Sequence, residues 1–167
     1  MIEEVNKMAK LKSNYIVDYN TSWIDSDHRL CIQMEFCENS LQNIINLKNI
    51  FNPSLNAINY YISSELFREI LECVQYLHSR DPPIIHRDLK PQNILLKYNK
   101  TNERYVKLCD FGLAVYHKLQ SMSHTSRVGS PGYVAPEVAQ GRAYNTKADM
   151  FSVGMIASDL FREDIIL

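Results

Sequence analysis

Residues 86–93 read His86-Arg87-Asp88-Leu89-Lys90-Pro91-Gln92-Asn93, and residues 110–112 read Asp110-Phe111-Gly112. A lone Asp or Asn here would pass for an ordinary loop residue. A carboxylate, an ammonium and an amide packed into one short window are a different matter. Six fixed residue types in that window recur by chance on the order of 10⁻⁸ per site by simple counting. Asp110 follows Asp88 by 22 positions, and Ala135-Pro136-Glu137 closes the segment 27 positions after Asp110.

Outside these stretches the chain is ordinary. It has 167 residues, 46% hydrophobic and 22% charged, with a net charge of −1 and a pI near 6.5. That suits one globular domain or most of one. It gives no electrostatic footprint for nucleic acid or for an anionic membrane. The acidic start, Met1-Ile2-Glu3-Glu4-Val5, is not a signal peptide. The most apolar stretch, Phe151 to Phe161, is cut by Ser152, Gly154, Ser158 and Asp159, and is too short to span a bilayer. Cys31, Cys37, Cys73 and Cys109 lack metal-ligand spacing, so free thiols in a reducing cytoplasm are expected.

Apolar spacing in residues 2–11 is close to helical. Tyr15 to Ile24 and Arg29 to Phe36 read as strands around a turn at Asp25-Ser26-Asp27-His28. Leu41 to Asn49 reads as a short helix after a hinge. Tyr60 to Ser79 reads as a long one, with Phe67, Ile70, Leu71, Val74 and Leu77 in a stripe that Pro82-Pro83 cannot continue. Ile94 to Leu96 and Val106 to Cys109 are short strands. Residues 113–134 form a long loop rich in Ser, Thr, His and Gly. Thr146 to Phe161 is a last helix whose core is expected at Met150, Phe151, Val153, Ile156 and Leu160.

The two quoted stretches resemble the catalytic loop and metal-binding turn of eukaryotic protein kinases, and the resemblance covers essentially the whole chain. It implies an α+β, two-lobed fold in incomplete form. Residues 1–37 would be a remnant of the small lobe, and 38–167 the mainly helical large lobe, truncated after its F helix. It also implies transfer of the γ-phosphoryl group of ATP to a protein hydroxyl. Asp88 would orient the acceptor and take its proton, and Lys90 would neutralise charge on the moving group. Asn93 and Asp110 would supply the oxygen ligands that Mg²⁺ prefers.

Position by position, Met34 matches the gatekeeper. Glu35 and Cys37 match the backbone groups that meet adenine, and Leu95 matches the adenine floor. Glu4 matches the helix glutamate that pairs with a strand lysine. Met8, Tyr19, His86, Phe111 and Asp149 line up with the stacked regulatory spine. Lys90 and Gly129-Ser130-Pro131-Gly132-Tyr133 are similar to the serine/threonine pattern, which implies a Ser/Thr acceptor on a protein substrate. Thr21-Ser22-Trp23-Ile24, Ile32-Gln33-Met34-Glu35-Phe36-Cys37 and Asp149-Met150-Phe151-Ser152 look like the stress kinases that phosphorylate translation initiation factor two, while Pro82-Pro83-Ile84-Ile85-His86 is also similar to other kinase groups. A phosphate at Thr125, or at neighbouring Ser123 or Ser126, could pair with Arg87 and order the long loop.

Two departures from the family pattern stand out. No Gly-rich loop and no strand lysine precede the hinge, and the helices expected after Phe161, with the arginine that partners Glu137, are not in the sequence. The expected explanation is a piece of an active enzyme whose isolated form is inactive. The alternative is a truncated, non-catalytic binding or regulatory module. Coding sequence upstream of Met1 distinguishes the two.

Overall fold

The computed structural model describes residues 11–48, 56–117 and 129–161. Residues 2–10 of the expected helix at 2–11, with Glu4 and Met8, and the loop sites Ser123, Thr125 and Ser126 lie outside these residues.

The elements follow the sequence closely. Strands β1 (Tyr19–Ile24) and β2 (Leu30–Met34) form an antiparallel hairpin. Asp25 makes its turn, accepting the Asp27 and Arg29 amides on one oxygen at 2.9 Å each. After the hinge come β3 (Asn39–Ser40) and helix α1 (Leu41–Lys48), then the long helix α2 (Asn56–His78). Strand β4 (Ile84–Ile85) leads into the quoted loop, which ends in a 3-10 turn at Pro91–Asn93. Strands β5 (Ile94–Asn99) and β6 (Arg104–Leu108) make a hairpin joined by β3, and β7 (Val115–Tyr116) pairs with β4. Helices α3 (Pro136–Ala139) and α4 (Lys147–Leu160) complete the chain.

The core forms where α2, α4 and the β5–β6 hairpin converge. Ile70, Val74 and Leu77 of the α2 stripe are buried together with Cys73, whereas Leu71 is exposed. Ile94, Leu96, Val106 and Leu108 enter the same core from alternate positions of their strands. Buried Glu69 accepts the Tyr105 and Val106 amides at 2.9 and 2.8 Å, fixing β6 against α2. The segment before β1 adds to this hairpin through a parallel bridge between Ile16 and Leu108.

Expectations are corrected at three places: Leu71 of the α2 stripe is exposed, Val115–Tyr116 form a strand inside the expected 113–134 loop, and the last helix buries a different face. Val153, Ile156 and Leu160 of α4 are buried, but Met150, Phe151 and Met155 are exposed. The helix is apolar nearly all round, so spacing alone cannot choose its buried face. Among the described residues, no helix is long and apolar enough to cross a membrane.

Candidate active site

Asp88 lies in the loop between β4 and the 3-10 turn, and Asp149 of α4 sets that loop's shape. The Asp149 carboxylate is wholly buried. It accepts the His86 and Arg87 amides at 2.9 Å each and the His78 imidazole at 2.8 Å. Arg87 therefore keeps a left-handed backbone, φ 70°, which a bulky residue holds only when its surroundings over-determine it.

Burial drives the His86 imidazole below its ordinary value, so it is neutral. Its Nε2 donates to the Cys109 carbonyl at 3.0 Å, and its Nδ1 accepts the Asp88 amide at 3.3 Å. The Phe111 ring packs on it, centroids 4.9 Å apart. His86 thus touches both Phe111 and Asp149. Tyr19 is half-buried against the core, its hydroxyl 2.9 Å from that of Ser22.

The Asp88 carboxylate is surrounded by donors. Lys90 Nζ is 2.8 Å from Oδ2, Asn93 Nδ2 is 3.0 Å from the same oxygen, and the Ser130 hydroxyl donates to Oδ1 at 2.7 Å. Lys90 also donates to Ser130 at 2.6 Å. Burial would raise the Asp88 carboxyl. The Lys90 ammonium and the Ser130 and Asn93 hydrogen bonds outweigh it and hold the group below the usual carboxylate range.

Ser130 reaches this centre because α4 holds its turn. Ser152 Oγ donates to the Tyr133 carbonyl at 2.6 Å, and the Tyr133 hydroxyl donates to Asp159 at 2.6 Å. Burial and the Asp159 carboxylate push the Tyr133 phenol to about 12. Ser152 and Asp159, which interrupt the apolar run in the sequence, are therefore anchors on nearly the same face as Asp149.

The donor set suits a hard cation. Asn93 spends its amide nitrogen on Asp88, donating also to the backbone carbonyl at 2.9 Å, which leaves its oxygen as the ligand end. Asp110 is exposed, and its left-handed backbone, φ 62°, begins the turn in which its carboxylate accepts the Gly112 amide at 3.3 Å. An amide and a carboxylate completed by phosphate oxygens are an ordinary Mg²⁺ environment. Among the described residues, no cluster of three or more His, Cys, Asp or Glu could hold a metal without such help.

The other expected residues lie on β2, the hinge, β5 and the segments flanking the Asp110 turn. Leu95 is half-buried on the face of β5 opposite the core, and Met34 ends β2, 38% exposed. Cys109 is buried and its thiol pushed up to about 12, chiefly by burial, so it is not poised to react. The Glu35 amide is bonded to the Asp18 carbonyl at 2.9 Å. Arg87 already donates through Nε to the Leu113 carbonyl and through Nη1 to the Tyr144 hydroxyl at 2.9 Å. Half-buried Glu137 has no ion pair among the described residues. A cavity of about 500 Å³ between α1, α2 and the β5–β6 hairpin is lined by none of these site residues.

Comparison with known proteins agrees with this geometry. The protein kinase domain family matches residues 1–167. The chain belongs to the protein kinase family. Serine/threonine-protein kinase nekl-2 of Caenorhabditis elegans is 35% identical over 163 residues, covering 95% of this chain and 43% of that protein. The interferon-induced, double-stranded RNA-activated protein kinase of Mus musculus is 32% identical, covering 94% and 32%. Eukaryotic translation initiation factor 2-alpha kinase 1 of Mus musculus is 35% identical, covering 80% and 23%. Among solved structures, the yeast RNA Pol II CTD kinase CTDK-1 complex contains a chain that superposes with a TM-score of 0.75 at 26% identity, covering 96% of this chain and 49% of that one. This kinase chain therefore spans less than half the length of these relatives.

Proposed function

We propose that this chain is the catalytic part of a serine/threonine protein kinase that transfers the γ-phosphoryl group of ATP to a protein hydroxyl. The observation that carries the reading is the Asp88 carboxylate held jointly by Lys90, Asn93 and Ser130. An ionised carboxylate kept in place by three donors can orient an acceptor hydroxyl and receive its proton. Lys90, 2.8 Å away, can neutralise charge building on the phosphoryl oxygens as the γ-phosphorus separates from its bridging oxygen. Mg²⁺ held by Asn93 and Asp110 would neutralise phosphate charge. The remaining requirement is alignment, which the loop supplies through Asp149.

On this reading residues 1–37 belong to the small lobe and 38–167 to the large lobe. Adenine sits between the 35–37 backbone and Leu95, near Met34, and the protein works in the cytoplasm. The names of the relatives make initiation factor two the first candidate substrate.

The test is full-length protein carrying Asp88→Asn. This change keeps the shape and removes the charge. A fall of about 10²–10⁴-fold in turnover on a Ser/Thr protein substrate is expected, with nucleotide binding retained. Near-normal turnover overturns the assignment. Purified initiation factor two, offered alongside a generic substrate, tests the substrate: no preference for it removes that candidate.

A further inference from the structure

The face of the β5–β6 hairpin that carries Leu95 also carries two lysines. Side chains alternate along a strand. Ile94, Leu96, Val106 and Leu108 therefore enter the core, while Leu95, Lys97 and Lys107 share the other face. Leu95 and Lys107 stand directly opposite each other in the ladder.

Both lysines reach one carboxylate. Lys97 Nζ lies 2.8 Å from Glu35 Oε2, and Lys107 is ion-paired with Glu35 Oε1. Lys107 also donates to the Ile16 carbonyl at 3.4 Å and has the Asp18 carboxylate at 3.9 Å. Glu35 is tied again to that segment, since its Oε1 accepts the Asp18 amide at 2.8 Å. One side chain thus joins the hinge, residues 16–18 and the hairpin. A buried ammonium is costly unless paired and hydrogen-bonded, and packing alone would be served better by an apolar residue. The pair is well shielded: the Lys107 and Glu35 side chains are 8% and 12% exposed.

We infer that Lys97 and Lys107 are positioning residues that, through Glu35, hold the 35–37 backbone at a fixed height over Leu95 and so set the width of the slot an adenine ring enters. The inference rests on the kinase reading, which assigns adenine to that slot. Lys107 carries the larger share, because Lys97 is 39% exposed and its pairing is screened by solvent.

The test compares full-length wild type with Lys107→Met, Lys107→Arg, Lys97→Met and Glu35→Gln. ATP and adenosine are titrated separately, since adenosine lacks the phosphates and reads the slot alone. Lys107→Met should weaken both ligands by the same factor, about tenfold, the scale of one charge-assisted hydrogen bond. It should raise KM for ATP while leaving kcat, and speed hydrogen exchange at the Asp18 and Glu35 amides. Lys107→Arg should restore all three, and Lys97→Met should have the smaller effect. If Lys107→Met does not fold, Glu35→Gln replaces it, since it removes the charge and keeps the backbone bonds. Unchanged adenosine affinity in a folded variant, or a loss confined to kcat, overturns the inference alone. A wild type that binds neither adenosine nor ATP overturns the kinase reading and the inference with it.

Discussion

A Cβ added at Gly129 would fall 2.7 Å from the Arg87 carbonyl oxygen. Gly129 has φ 102°, and Arg87 across from it has φ 70°, so two left-handed backbones meet where the Ser130 turn touches the catalytic loop. Gly129→Ala is expected to cost about 1–3 kcal/mol in stability through backbone strain. It should also displace Ser130 from Asp88. Urea unfolding with a parallel transfer assay checks both effects, and an unchanged midpoint with full activity contradicts the expectation.

Ser130 ties Asp88 to Lys90 through one hydroxyl. Removing one hydrogen bond to a charged group costs about 1.5–3 kcal/mol. Ser130→Ala is therefore expected to slow transfer about ten- to hundredfold, whereas Ser130→Thr keeps the hydroxyl and the rate. Steady-state kinetics on both variants decide the point.

The Glu35 clamp has a pH signature. Burial raises the Glu35 carboxyl, but Lys107, Lys97 and the Asp18 amide overcome it and hold the folded-state value below 4.5. A depressed folded value means the stabilisation is complete above about pH 4.5 and is lost as pH falls through the folded value. Glu35→Gln should be less stable than wild type near neutrality and show a shallower acid limb. Melting temperatures across pH 3–7 measure this, and parallel wild-type and variant curves would count against it.

Thr125, with Ser123 and Ser126 beside it, is expected to carry an activating phosphate in the full-length enzyme. Arg87 is the proposed partner, although its Nε and Nη1 are already used by Leu113 and Tyr144. A phosphate would have to add to that arrangement or replace part of it. Mass spectrometry of active enzyme, with Thr125→Ala and Arg87→Ala, checks the pairing. An effect of the phosphate that survives loss of Arg87 rules it out.

A polypeptide of these 167 residues alone is expected to transfer no phosphoryl group at a useful rate. It contains no Gly-rich loop or strand lysine to align the β- and γ-phosphates, and misalignment alone costs large factors. Robust phosphorylation by the purified chain, abolished by Asp110→Ala, would refute this.

The candidate site residues are legible because phosphoryl transfer would demand such groups at fixed local spacing, so Asp88, Lys90, Asn93 and Asp110 can be proposed from two short stretches. Most elements were legible too, from periodicity and turn residues. What supports the site was not. His78 and Asp149 lie 71 positions apart, and Lys107 and Glu35 lie 72 apart. No local pattern marks such partners. Ser152 and Asp159 looked like mere interruptions of an apolar run, yet they hold the turn that delivers Ser130. Met150 and Phe151 read as core in the sequence because α4 offers apolar residues on several faces, and only its neighbours select one.

The Asp149 carboxylate that shapes the catalytic loop comes 62 positions after Arg87 and 63 after His86. During synthesis, the loop leaves the ribosome long before its anchor does. A nascent chain halted short of Asp149 would already hold Asp88, Lys90, Asn93 and Asp110. The His86 and Arg87 amides would nonetheless lack their acceptor, and the strained Arg87 backbone would have nothing to hold it. The loop's geometry thus arrives late, with the docking of one helix, which separates the moment the candidate site residues are made from the moment they are held together.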